Sequence, residues 1–179
     1  MEDDPFRGRS LAASKAKRFA PPPQPQRQPQ PSPESAGRMA DVGGKPVVKR
    51  EARAEGFLRL KPATLAALRE GRAPKGDPFP VARVAGILAA KNTPDLVPLC
   101  HPIPLTAVDI EFETEAEGVR VRTNVRAEWR TGVEMEALAA CAAALLTVWD
   151  MTKALEKDVT GNYPDTAIES IRVTSKVKG

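Results

Sequence analysis

From Gly132 to Lys157 the chain runs for 26 residues without a proline, and small or long-chain helix formers fill most of the middle. A long α-helix is the one regular element that suits such a run. Thr131 precedes it with Glu134 three residues on, the spacing of a capping box, so the pattern predicts a helix from Gly132 to about Lys157. Its apolar set (Val133, Leu138, Cys141, Leu145, Val148 and Leu155) is expected to pack on a sheet. The alanine-rich midsection around Cys141 leaves room for another backbone to approach closely.

The sheet is read from period-two alternation on both sides of that helix. Ala52, Ala54, Gly56, Leu58 and Leu60 alternate with Arg53, Glu55 and Arg59. Val108, Ile110 and Phe112 alternate with acids. After Glu117-Gly118, Val119 and Val121 alternate with arginines as far as about Arg130, giving an antiparallel hairpin. Ile171, Val173, Ser175 and Val177 form a last strand, after a turn at Gly161–Pro164. Between the first strand and the hairpin, Pro62 and Gly71 bracket a short helix, Ala63–Glu70. Asp77 caps a second, opened by Pro78 and running to about Lys91 through Val81, Val84, Ala85 and Leu88. Thr93–Pro104 holds four prolines and is expected to be neither helix nor central strand. The order β, two helices, β, β, α, β predicts an α+β fold of the ferredoxin-like, split βαβ kind, a four-stranded antiparallel sheet backed by helices.

Charge and composition narrow the function. The +4 net charge is mostly carried by residues 1–40, at +3, which leaves the remainder at +1. A nearly neutral core argues against a domain whose main partner is a polyanion. Residues 1–38 form a basic Pro/Gln-rich tail expected to be disordered, and 39–179 the folded domain. Cys100 and Cys141 are too few and too far apart for a disulfide framework, and no apolar run of about 18 residues stands out, so a soluble cytoplasmic protein is expected. Cys141 reads as a small buried hydrophobe.

The polar residues that carry chemistry are few. On the long helix, the 100° step places Glu136, Asp150 and Lys153 on one side, with Asp150 and Lys153 neighbours at i, i+3. Trp149 and Met151 beside Asp150 suggest that it is partly screened from water. Lys75 precedes a helix N-terminus, a suitable place for an anion, without a Walker A loop or a GxGxxG motif. His101, the single histidine, sits in the proline-held stretch Leu99-Cys100-His101-Pro102 and rules out a multi-histidine metal site. A zinc site from Cys100, His101 and two carboxylates is the weaker reading. These groups suit proton transfer on a small anionic substrate.

In sequence order, Arg50-Glu51-Ala52-Arg53-Ala54, Lys75-Gly76-Asp77, Pro98-Leu99-Cys100-His101-Pro102, Thr131-Gly132-Val133-Glu134-Met135-Glu136-Ala137 and Asp150-Met151 with Lys153 resemble the MoaC family of cyclic pyranopterin monophosphate synthases. The resemblance covers residues 39 to 177. It implies an enzyme of molybdenum cofactor biosynthesis, a lyase. Its substrate is implied to be 3′,8-cyclo-7,8-dihydroguanosine 5′-triphosphate and its products cyclic pyranopterin monophosphate and pyrophosphate. It implies a homohexamer, a trimer of dimers with each site at a dimer interface. No cofactor is required; Mg2+ can accompany the triphosphate. Neither nucleic acid nor membrane is a partner.

Carried over by motif, Asp150, Lys75 and Lys153 are the catalytic residues. Leu99, Cys100, His101, Glu134, Met135, Glu136, Arg50 and Lys176 bind substrate. Lys75 and Lys153 act as proton donors or bases once crowding or burial lowers one toward neutrality, and Asp150 orients Lys153. His101, Arg50 and Lys176 grip phosphate, and Glu134 and Glu136 hold the base edge or shape the interface. The family's glycine- and lysine-rich tail is cut here to Val177-Lys178-Gly179. Two other classes compete: a nucleic-acid module using Arg120, Arg122, Arg126 and Arg130, and a non-catalytic ligand-sensing domain.

Overall fold

In a computed structural model that describes residues 37–179, the central strand is β1 (Val48–Arg59). It pairs antiparallel with β3 (Gly118–Trp129) on one side and with β4 (Ala167–Lys178) on the other. Strand β2 (Leu105–Thr114) completes the sheet on the far side of β3, giving the order β2-β3-β1-β4. The expected α+β, ferredoxin-like arrangement is therefore present. The tail expected over residues 1–38 lies, but for its last two residues, outside the described residues.

Helices α1 (Pro62–Arg69), α2 (Pro78–Lys91), α3 (Thr93–Leu96) and α4 (Glu134–Glu156) complete the chain. Alternation along β1 and β3 buries Ala52, Ala54, Leu58, Val119, Val121 and Val125 against Ala137, Cys141, Leu145 and Val148 of α4. By length and composition α4 could also cross a membrane, contrary to the expectation that no such apolar run exists. Its apolar residues are used instead to build this core.

Four departures from the sequence expectations have physical causes. Thr131 does not cap α4; the helix starts at Glu134 with Val133 as a cap that offers no side-chain bond. The Glu134 carboxylate folds back over Gly132, where any Cβ would collide with it, so the box residues are used differently. The proline-rich stretch holds one helical turn, α3, because Pro94 falls in its first turn, where no N–H bond is lost. Strand β4 begins at Ala167 rather than near Ile171, because register shifts and the positive φ of Ser170 (55°) break the alternation.

The fourth departure concerns α2. Its buried side is the small-residue row Ala82, Gly86 and Ala90, while Val81, Val84 and Leu88 point outward, 50%, 58% and 51% exposed. Close approach to α4 decides this: a Cβ on Gly86 would lie 2.9 Å from the Ala140 carbonyl oxygen. Leu155, assigned to the packed face of α4, is likewise exposed. Among the described residues, the end of α4 is tied down by fully buried Glu156. Its carboxylate accepts the Lys61 backbone N–H at 3.1 Å and the Thr166 hydroxyl, and the Lys61 ammonium donates to the Glu156 carbonyl at 2.7 Å. This locks the last turn of α4 onto the junction between β1 and α1.

Candidate active site

Helices α2 and α4 run antiparallel, and that pairing distributes the chemistry. Asp77 accepts a bond from the Phe79 N–H at 3.0 Å and starts α2, and Gly76, at φ +85°, turns the chain just before it. Lys75 is thereby delivered to the C-terminal end of α4. Its ammonium donates to Asp150 Oδ2 at 2.6 Å, and Lys153 approaches Asp150 Oδ1 at 2.7 Å. One carboxylate is shared by two lysines. The three catalytic candidates meet in one place, although Lys75 and Asp150 are 75 residues apart in the chain.

At the other end of α4, the chain leaving α3 brings Leu99-Cys100-His101 beside the helix start. A cavity of about 610 Å³ opens there, lined by Leu99, Cys100, His101, Glu134, Met135 and Glu136, with Lys176 from β4. Lys176 donates to Glu134 Oε1 at 3.0 Å. Arg50 lies outside this cavity, in an adjoining one of about 480 Å³ that shares Lys45, Glu134 and Lys176. Its guanidinium is used on the carbonyls of Trp129 (3.3 Å) and Arg130 (3.1 Å).

The sequence reading missed part of this wall. Ala40, Val42 and Lys45 come from a segment ahead of β1 that turns through a Lys45 N–H to Val42 carbonyl bond of 3.1 Å. Arg130 holds that segment by donating to the Gly43 carbonyl. Two adjacent glycines before a lysine were the available signal.

The two ends differ in how they set protonation. Hydrogen bonds from Lys153 and Lys75 hold the Asp150 carboxyl down at about 2, and the same contact raises Lys153. The expected lowering of a lysine toward neutrality is therefore absent at Lys153; a nearby carboxylate favours the ammonium. Nor do Trp149 and Met151 screen Asp150, whose side chain is 52% exposed. At the cavity the opposite holds. Burial, reinforced by the charge of Glu134, raises the carboxyl of Glu136, which is only 3% exposed. Burial also raises Cys100, with Glu136 adding to it. For Glu134, burial acts upward, but the Lys176 bond and its own backbone N–H outweigh it and leave the group lowered.

Glu136 and Asp150 lie on one unbroken helix, but their surroundings differ. Glu136 is under the Cys100 loop and Asp150 in solvent. Sixteen residues separate Glu134 from Asp150, about 24 Å along the axis. One subunit thus holds two separate groups of polar side chains, each with its own chemistry. Among the described residues, no three His, Cys, Asp or Glu side chains converge as a metal cage would need.

The MoaC family model matches residues 39–179. The chain belongs to the MoaC family. Similar proteins named "Probable cyclic pyranopterin monophosphate synthase" include one from Aeropyrum pernix, 55% identical over 81% of this chain and 99% of its own length. One from Thermococcus kodakarensis is 54% identical, over 82% of this chain and 94% of its own. A third, from Sulfolobus acidocaldarius, is 54% identical over 78% and 98%. The matched residues include both groups of polar side chains and the sheet and helices between them.

Proposed function

We propose that this protein is a cyclic pyranopterin monophosphate synthase, a lyase of molybdenum cofactor biosynthesis working in the cytoplasm. It converts 3′,8-cyclo-7,8-dihydroguanosine 5′-triphosphate to cyclic pyranopterin monophosphate and pyrophosphate. One observation carries the reading beyond the names of relatives: Asp150 clasped by Lys75 and Lys153, on the same helix as the cavity formed by the Cys100-His101 and Glu134-Glu136 segments.

The half-sites need a second subunit to meet. A two-fold contact that sets the α4 helices of two copies antiparallel brings the Asp150 end of each to the Glu134 end of the other. The exposed row Val81, Val84 and Leu88 on α2, with Leu146 (58% exposed) on α4, supplies an apolar surface for that contact. Three such dimers make the homohexamer. Covering the lysine pair with a partner removes water from it and strengthens its pull on an anion.

The roles follow from the protonation found. Lys153, raised by Asp150, serves first as an acid with Lys75 beside it, giving protons to the purine nitrogens and to the leaving pyrophosphate while Asp150 fixes the direction of both. Glu136, whose carboxyl is raised by burial, donates to the base edge in its protonated form. Lys176, Lys45 and His101 grip phosphate. No resident cofactor enters; Mg2+ arrives, where present, on the triphosphate. Opening of the five-membered ring, closure of the pyran and attack of a ribose-derived hydroxyl on the α-phosphorus all take place between the two ends. The nucleic-acid alternative has little to support it: Arg120 pairs with Glu115, Arg122 with Glu113 at 2.7 Å and Arg126 with Asp109 at 2.8 Å. Phe112, a strand aromatic such a module would need, packs on Phe79 instead.

The test is direct. Purified protein is incubated with the cyclised intermediate, and pterin and pyrophosphate are measured together. Equal amounts of both are expected; substrate left intact under saturating conditions would remove the reading.

A further inference from the structure

Of the four arginines that a nucleic-acid module would use, Arg120, Arg122 and Arg126 pair with carboxylates. The fourth, Arg130, lies just beyond β3 and donates instead to the Gly43 carbonyl. Gly43 belongs to a strap ahead of β1, residues 40–45, that folds on itself through two short-range bonds. Asp41 Oδ1 accepts the Gly43 N–H at 2.7 Å, and the Val42 carbonyl accepts the Lys45 N–H at 3.1 Å. Neither reaches another element. Among the described residues, the Arg130 contact is the one hydrogen bond that ties the strap to the body of the fold. Arg130 is itself fixed at its base. Arg50 donates to the carbonyls of Trp129 (3.3 Å) and Arg130 (3.1 Å), which holds the backbone that carries the Arg130 side chain. The strap supplies part of the cavity wall. Val42, half-buried, lines the cavity of about 610 Å³, and Lys45 lines both that cavity and the adjoining one of about 480 Å³.

We infer that Arg130 is a positioning residue: by anchoring the strap at Gly43 it holds Lys45 where the two cavities adjoin, facing the phosphate chain of the substrate. A guanidinium that donates to a carbonyl makes a charge-assisted bond, stronger than a neutral one. Without it, a largely exposed segment with two adjacent glycines, Gly43 and Gly44, has little else to fix it, and Lys45 samples many positions. Substrate would then have to order the strap as it binds, which weakens binding. The chemical step is left as it is, because Lys45 grips the phosphate chain alike before and during reaction. The inference rests on the proposed substrate and on the phosphate role of Lys45, but the tether itself is testable without substrate.

The variant is Arg130→Met, which keeps the reach of the side chain and removes its donors. The first measurement is backbone hydrogen exchange in the full chain, read by mass on peptides that cover residues 40–45. Exchange there should be several-fold faster in the variant, with α4 peptides unchanged. Equal rates, or faster exchange throughout the fold, would overturn the tether. The second is steady-state turnover of the cyclised intermediate. A roughly tenfold rise in KM at nearly constant kcat is expected. Unchanged kinetics, or a fall in kcat at constant KM as a smaller folded fraction would give, would overturn the positioning role. Arg130→Lys keeps one donor of similar reach and should restore most of the loss in KM; no restoration would count against a tether that needs a single N–H. Arg130 also borders the smaller cavity, so the substitution is repeated in a Lys45→Met background. There it should add nothing; a further loss of similar size would make Arg130 a phosphate ligand in its own right and overturn the inference. Absence of turnover in the unaltered protein removes the proposed function and leaves the exchange contrast to decide the tether.

Discussion

The two ends of α4 reach fixed protonation states by opposite physical routes. At the Asp150 end, opposite charges in solvent stabilise one another, lowering the Asp150 carboxyl and raising Lys153. At the Glu136 end, burial penalises charge and pushes a carboxyl and a thiol toward their neutral forms. The exposed end offers directed ammonium groups to an anion, and the buried end offers an acid kept from solvent. Chemistry that both neutralises a triphosphate and moves protons needs the two together. A helix with one kind of end at each terminus suits the paired assembly proposed above.

The largest expected effect comes from removing the carboxylate of the exposed end. Asp150→Ala should lower kcat about 10²–10⁴-fold, the usual worth of oriented acid–base groups. Because the side chain is half in water, the melting temperature should stay put; a variant that unfolds instead would make this end structural. Next, the two ends can be tested against each other. Asp150→Ala and His101→Ala subunits, each inactive alone, are mixed under conditions of subunit exchange. Random pairing leaves one intact site in each mixed dimer, so roughly a quarter of wild-type activity should return. No recovery at all would mean that the ends do not meet across subunits.

The seam between the ends is probed by Gly86→Val. The added side chain collides with the Ala140 carbonyl and should cost about 1–3 kcal/mol in a urea melt. A neutral result would show that α2 and α4 can shift without penalty. The smallest effect is at Glu136. Its carboxyl is raised in the folded protein, so the native state binds a proton that the unfolded chain releases more readily. The associated stability is present at acid pH and is lost as pH rises through the raised value. Glu136→Gln should therefore raise the melting temperature slightly at about pH 8 and not at about pH 4. A gain at both would point to packing rather than charge.

Much of this architecture was legible in the residues. The extent of α4 follows from a run without proline, and the hairpin and β1 from clean alternation. The first turn of α4 was not legible, because Glu134 folds its carboxylate over Gly132 instead of bonding to a cap. The face of α2 was misread for an instructive reason. Val81, Val84 and Leu88 look like a core stripe, yet Ala82, Gly86 and Ala90 win the interior because helices can approach only where side chains are short. The bulged start of β4 hid behind a break in periodicity. The meeting of Lys75 with Asp150 obeys no local rule; motif resemblance placed both in one site, and the antiparallel run of α2 along α4 explains how they get there.

The 23-residue length of α4 has a kinetic corollary. In the two-fold arrangement proposed above, the two tips of one rod serve different sites, and catalysis is then a property of the encounter between copies. Specific activity should fall on dilution once subunits part, and the cell's supply of the enzyme would then set the output of the step more steeply than in simple proportion.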